Sequence, residues 1–261
     1  MVTVLSFSPV PGPLLHQWLA TQLGAAAPRV VAADELAAAD RDQAYAEAEV
    51  ALGDYTFRGP VDKLLLDKMP KLKFLQQPSA GYQHIDLAAC RARGVLVANT
   101  PGVNAAAVAE HTIMIAMASL KRLISANAAT HAGKWTQHEL MWERGVFELM
   151  GKTWGIVGFG AVGREVARRL AVFGVNLMYF DLQRQTPEQE SAAQVTFKPL
   201  DNLLRLADIV SLHVPLTEQT RGLIGARELG LMKFQAILIN VARGECVDEH
   251  ALADRLRTKM L

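Results

Sequence analysis

Short runs of β-branched and apolar residues alternate with longer stretches of helical spacing from one end of the chain to the other. That alternation predicts an α/β architecture built on parallel sheets. In the first part, residues 3–7, 50–52, 72–76 and 95–98 read as strands, and 14–23, 61–68 and 87–92 as helices. The alanine-rich stretch 25–48 reads as a solvated helix and loop. Asn99-Thr100-Pro101-Gly102 punctuates the chain, and Asn104 is placed to cap a helix running to about residue 125. That helix is apolar nearly all round, which predicts burial between domains or subunits. After a polar and aromatic stretch, a second block places strands at 154–158, 176–181, 195–197, 209–213 and 236–241. Helices or helical turns fall at 162–173, 200–205, 217–224 and 226–232, and Asp248 opens a last helix through Leu256.

Composition narrows the picture without redirecting it. The 261 residues amount to a little under two domains at about 150 residues each. Lys and Arg total 27 against 26 Asp and Glu, a net charge of +1, which argues against a broad basic face for nucleic acid. Hydrophobic residues make up 51% and charged residues 20%, enough for a core and too ordered a mixture for global disorder. Two cysteines, Cys90 and Cys246, build neither a disulfide framework nor a four-ligand zinc site. No His/Cys/Asp/Glu cluster has metal-ligand spacing, so no metal is expected. The N-terminal stretch lacks a basic leader and is interrupted by Pro9, Pro11 and Pro13. Residues 105–120 include Glu110 and are too short to span a bilayer cleanly. The expectation is a cytoplasmic protein that contacts no membrane and no nucleic acid.

The strongest local signal is Gly158-Phe159-Gly160-Ala161-Val162-Gly163, which fits G-x-G-x-x-G. It follows the strand ending at Val157 and opens an amphipathic helix, and Asp181 ends the next strand. That acidic residue lies 18 positions after Gly163, near the ~20 of a dinucleotide fingerprint. Gly158 permits a tight turn, Gly160 lets a pyrophosphate approach the backbone, and Gly163 lets helix and strand pack closely. The helix amides of Ala161 and Val162 favour the anion. Asp181 suits the ribose hydroxyls and repels a 2′-phosphate, favouring NAD over NADP, while Arg184 nearby leaves the strictness of that choice open. A methyl-donor-binding protein of similar fold shares these features.

Five further segments sharpen the reading. They are Ser79-Ala80-Gly81-Tyr82-Gln83-His84-Ile85-Asp86, Asn99-Thr100-Pro101-Gly102-Val103-Asn104, Val108-Ala109-Glu110-His111-Thr112, residues 207–217 (Ala-Asp-Ile-Val-Ser-Leu-His-Val-Pro-Leu-Thr), and Ile239-Asn240-Val241-Ala242-Arg243-Gly244. In this order, with the glycine turn, they resemble the D-isomer-specific 2-hydroxyacid dehydrogenases, which include phosphoglycerate, D-lactate and glyoxylate/hydroxypyruvate enzymes. The resemblance runs from about residue 70 to 257. It implies a flavodoxin-like substrate domain at 1–100 and a Rossmann dinucleotide-binding domain at 101–261, both doubly wound. It also implies NAD as cofactor, a small 2-keto or 2-hydroxy acid as substrate, and hydride exchange between them.

By matching positions, the backbone of Ser79, Ala80 and Gly81 would hold the substrate carboxylate. His213, Val214 and Pro215 would line the adenine and ribose side, and Val241, Ala242 and Arg243 would sit near the nicotinamide. Arg243 is the expected catalytic residue: a planar, permanently charged fork fits two substrate oxygens and polarises the carbonyl. The apolar helix from Asn104 and the segment from Trp135 to Trp142 match regions that pair subunits in the family, implying a homodimer. Glu110-His111, His84 with Asp86, and Glu249-His250 read better as packing and surface groups than as acid/base pairs.

The family pattern continues past the last helix with a further strand, then a glutamate and the histidine that acts as general acid/base. Arg257-Thr258-Lys259-Met260-Leu261 does not resemble that continuation. The expectation is a C-terminally truncated chain, with both domains incomplete and turnover impaired. The alternative is a non-catalytic NAD-binding protein resembling the family's corepressor branch.

Overall fold

The computed structural model describes residues 2–143 and 145–258; residues 259–261, on which part of the expected truncation rests, lie outside them. Two compact units divide between Val103 and Asn104, and each holds one parallel five-stranded sheet.

In the first unit the strands are β1 (Thr3–Ser6), β2 (Arg29–Ala32), β3 (Val50–Leu52), β4 (Phe74–Gln76) and β5 (Leu96–Ala98), in the order β2-β1-β3-β4-β5. That is the flavodoxin-like 2-1-3-4-5 order. Helices α1 (Gly12–Leu23), α2 (Ala38–Glu47), α3 (Lys63–Asp67) and α4 (Leu87–Ala92) connect them. The core is built from Leu5, Ala51, Leu66, Met69 and Leu75, all fully buried. Asp62 and Asp86 cap α3 and α4, accepting hydrogen bonds from the backbone N–H of Leu65 and Ala89 respectively.

The second unit begins with α5 (Ala105–Leu120) and α6 (Leu123–His131). Its strands are β6 (Thr153–Val157), β7 (Asn176–Phe180), β8 (Val195–Phe197), β9 (Ile209–Leu212) and β10 (Ile237–Asn240), in the order β10-β9-β6-β7-β8. Counted within the unit this is 3-2-1-4-5, the Rossmann order. The remaining helices are α7 (Ala161–Leu170), α8 (Pro187–Ala193), α9 (Leu200–Leu206), α10 (Ala226–Leu231) and α11 (Glu249–Arg257). β6 and β9 sit centrally, and Trp154, Ile156, Val157, Ile209, Val210 and Leu212 are fully buried. Each such side chain contributes about 1.5–3 kcal/mol on burial.

Several sequence expectations need correction. Residues 29–32, read as part of a solvated helix and loop, form β2 against β1; alanines on both sides had masked the short Val30-Val31 run. The helix from Asn104 does not run to residue 125, because Arg122 adopts φ 52° and separates α5 from α6. Asn104 occupies the cap position, but its side chain makes no capping hydrogen bond. Within this chain Ala109, Ile113 and Ala116 of α5 pack in the core shared with Val166, Ala167 and Leu170 of α7, while Met114 is exposed. Helix α8 was not anticipated, although Thr186 and Gln189 form a capping box at its start. Residues 217–224, read as a helix or helical turns, form turns. No described helix is long and apolar enough to cross a membrane.

Candidate functional site

The carboxyl ends of parallel strands are where α/β sheets collect ligand-binding loops, and β6 supplies the most specialised turn of this chain. Gly158 has φ 93°. A Cβ there would fall 2.8 Å from the His213 carbonyl carbon and 2.9 Å from Val214 Cγ1. At Gly163 a Cβ would lie 2.3 Å from the Gly158 carbonyl oxygen, so α7 packs onto the turn only without a side chain. Gly160 is different: nothing lies within 4 Å of the Cβ it lacks. Open space therefore faces the helix start at the position where a pyrophosphate needs it. No side chain caps α7, and its first bond runs from the Arg164 amide to the Gly160 carbonyl. The earlier amides, through Ala161 and Val162, are thus left for an external acceptor.

Asp181 follows β7 directly. Its Oδ2 accepts from the Phe159 amide at 2.7 Å and its Oδ1 from the Gln183 amide at 3.2 Å. The carboxylate is thereby fixed beside the glycine turn. His213 follows β9; its Nε2 meets Ser211 Oγ at 2.9 Å, and the same oxygen accepts from Trp154 Nε1 at 2.8 Å. Burial pushes the His213 pKa down to about 4, so the ring is neutral. Pro215 receives the Thr220 hydroxyl on its carbonyl, fixing the turn after His213 and Val214.

Beyond β10, Asn240 organises the next turn. Its Oδ1 accepts from the Ala242 amide at 3.0 Å and its Nδ2 donates to the Arg243 carbonyl at 2.7 Å. Arg243 Nη1 donates to the Ala242 carbonyl at 2.7 Å, and the side chain is half-buried. Since β10 is parallel to β9, residues 241–243 lie on the same sheet edge as the glycine turn, Asp181 and residues 213–215.

In the first unit, the loop after β4 has its carbonyls tied down. The Ser79 oxygen accepts from the Thr100 amide at 3.1 Å, the Ala80 oxygen from Asn99 Nδ2 at 2.9 Å, and the Gly81 oxygen from Ser79 Oγ at 3.0 Å. Gln77, fully buried, donates from Nε2 to Ser79 Oγ at 2.8 Å and to the Asp54 carbonyl at 3.3 Å. Among the described residues no acceptor is recorded for the amides of Ser79, Ala80 and Gly81. Such a loop can bind an anion through its backbone.

Sequence reasoning overlooked the residues that hold these loops: Gln77, Asn99, Thr100, Asn240 and the Trp154–Ser211 pair. Asn99, Thr100 and Asn240 stood inside motifs already singled out, and their amide and hydroxyl groups were the available signal. The bland readings of other groups have physical counterparts. Glu110 bonds Arg169 at 3.1 Å, tying α5 to α7, and Asp86 caps α4. The His84 ring packs edge-on against Phe57 at 4.8 Å. Among the described residues, no group of three or more His, Cys, Asp or Glu could hold a metal.

The residues present fit a dinucleotide: an open glycine, uncapped helix amides and an anchored carboxylate stand together. The profile of the D-isomer specific 2-hydroxyacid dehydrogenase NAD binding domain matches residues 113–261. The chain belongs to that family, and NAD is its cofactor. It is 42% identical over 200 residues to a glyoxylate reductase of Thermococcus litoralis, covering 76% of this chain and 60% of the relative. A glyoxylate reductase of Korarchaeum cryptofilum is 39% identical over 201 residues, covering 76% and 59%. The chain thus spans about 60% of the length of these curated relatives. Among solved structures, a D-lactate dehydrogenase of Aquifex aeolicus complexed with NAD and lactic acid superposes with TM-score 0.84 at 27% identity, covering 99% of this chain and 74% of that one. A glyoxylate reductase of Paecilomyes thermophila gives 0.84 at 27%, covering 100% and 79%.

Proposed function

We propose that the protein is an NAD-dependent oxidoreductase that interconverts a small 2-keto acid and its 2-hydroxy acid, with glyoxylate the first substrate to test. The observation that carries this reading is the second sheet edge, where the open Gly160, the anchored Asp181 and the Asn240-clamped turn bearing Arg243 occur together. The relatives named above are reductases and dehydrogenases, which favours an enzyme over a regulatory NAD-binding protein.

In this reading Gly158, Gly160, Ala161, Val162 and Gly163 hold the pyrophosphate, and Asp181 holds the adenosine ribose. His213, Val214, Pro215, Val241 and Ala242 line the dinucleotide. NAD, when bound, supplies or accepts the hydride. Arg243 grips the substrate carboxylate and carbonyl oxygen, and its charge stabilises the negative charge that develops on that oxygen, which takes a proton from solvent water on reduction and returns it on oxidation. The amides of Ser79, Ala80 and Gly81 form the anion-binding loop of the first unit. We assign residues 1–100 to substrate recognition and 101–261 to the cofactor. The exposed apolar side chains of Ile124, Trp135 and Trp142 support a homodimer, and the two buried free cysteines suit a reducing cytoplasm.

The test is the loss of nicotinamide absorbance when NADH and glyoxylate are supplied, alongside calorimetric titration with NADH. Oxidation dependent on a 2-keto acid is expected; a folded protein that takes up no NADH would overturn the proposal.

A further inference from the structure

Arg184 lies three residues beyond Asp181 on the same strand exit, where a guanidinium can receive the 2′-phosphate that distinguishes NADP from NAD. In this chain it is already engaged. Its Nε donates to Glu190 Oε1 at 2.9 Å and its Nη2 to Glu190 Oε2 at 3.1 Å, so the fork is closed on both carboxylate oxygens. The guanidinium also stacks over Phe197, 5.3 Å from the ring centre. Glu190 is itself well placed to hold it: its side chain is only 13% exposed, and it accepts the Tyr179 hydroxyl at 2.8 Å. That phenol oxygen in turn accepts the Gln185 amide at 2.8 Å. The capping box of Thr186 and Gln189 starts α8 just before Glu190 and fixes its register.

We propose that Glu190 is a specificity-determining residue for the cofactor, acting by withholding Arg184 from the ribose 2′ position. The chain then rejects NADP twice, through the repelling carboxylate of Asp181 and through a cation that is present but locked. A bidentate pair with a largely buried partner holds its geometry better than an exposed one. A 2′-phosphate arriving at this edge meets the anchored carboxylate of Asp181 and no available guanidinium. This rests on the reading that Asp181 holds the adenosine ribose, and NAD binding by the unaltered protein tests that reading separately.

The experiment is calorimetric titration of NAD+ and NADP+ into the unaltered protein and into Glu190→Gln, Glu190→Ala, Arg184→Ala and Glu190→Ala/Arg184→Ala variants. Glu190→Gln keeps an acceptor for Tyr179, so the test survives if the alanine variant folds poorly. Both Glu190 variants are expected to bind NADP+ about tenfold more tightly while NAD+ affinity stays within about threefold. Arg184→Ala alone leaves both affinities as they were, and in the double variant the gain for NADP+ disappears. An unchanged NADP+ affinity in both Glu190 variants, or a gain that persists without Arg184, overturns the proposal. Failure of the unaltered protein to bind NAD+ removes the underlying reading and the proposal with it.

Discussion

The two sheets of this chain are each parallel and five-stranded, yet their first strand-to-helix turns treat an anion in opposite ways. After β1, Pro9, Pro11 and Pro13 carry no amide hydrogen. The Ser8 and Val10 amides donate to the Ser6 and Ser8 hydroxyls, each at 3.2 Å. The Gly12 amide, at the start of α1, donates to the Glu35 carboxylate at 3.0 Å. An internal anion thus already sits at that helix end. After β6, by contrast, glycines open the turn, no side chain caps α7, and the space beside Gly160 is empty. Parallel topology supplies the location of an anion site, and the residues of the turn decide whether it is available.

That contrast can be broken most directly at Gly163. Replacing it with Ala drives a Cβ against the Gly158 carbonyl, and a loss of about 3 kcal/mol in stability is expected, at the upper end for single substitutions. NADH binding should go with it. Gly12→Ala in the first unit places its Cβ 3.1 Å from the movable end of Glu35, and less than about 1 kcal/mol should be lost. Chemical denaturation of both variants measures the difference; equal effects would remove the distinction between the two turns.

Arg243→Ala comes next. Loss of a charged, forked donor is expected to cost about 2–3 kcal/mol of keto-acid binding, roughly 30- to 150-fold, with NADH affinity nearly intact. Titration of a keto acid into the NADH-loaded variant reads this out, and unaltered affinity would refute the role of the Asn240-clamped turn. A smaller effect, about tenfold on NADH affinity, is expected for Gly160→Ala, since a methyl fills the open space without touching protein. Asp181→Ala should weaken NADH binding by a similar factor. Stability should hold within about 1 kcal/mol for Gly160→Ala, so a loss as large as that of Gly163→Ala would show that the space is structural.

A last prediction concerns pH, where buried groups of both units contribute. Burial holds the folded pKa of His213 at about 4, below its ordinary 6.5. The unfolded chain therefore binds the proton first. Stability from this group is complete above pH 6.5 and is lost as pH falls toward 4. Burial lowers His84 in the first unit in the same sense. Asp54 behaves differently: burial alone would raise it, but hydrogen bonds from Thr56 and Arg58 bring it to about 2. Its contribution is present above pH 3.8 and is lost as pH falls through 2. Melting curves across this range should show His213→Asn flattening the decline between pH 6.5 and 4. A profile identical to that of the unaltered protein would contradict the neutral ring.

The fold class was legible from alternation alone, because strands buried on both faces read as short apolar runs and glycines and prolines mark their ends. β6 to β10 appear at nearly the positions the pattern indicates. β2 escaped because Val30 and Val31 sit among alanines, whose pattern fits a helix as well as a strand. The break at Arg122 escaped because a left-handed residue other than glycine leaves no local mark. In the site, Gly158, Gly160, Gly163 and Asp181 were readable because their spacing follows from one turn of backbone and one strand. Gln77 with Asp54, Trp154 with Ser211, and Asn99 with Ala80 were not, since those partners are brought together by the sheets and loops.

By itself, then, the sequence determined the alternation, the glycine turn, the acidic strand end and the arginine after the last strand, because each is a local property of a few adjacent residues. Only the tertiary structure decided which amides remain open, which carbonyls are tied down, and that Arg184 is closed on Glu190. Those outcomes depend on hydrogen bonds between side chains and backbone groups whose pairing is settled when strands, helices and loops pack.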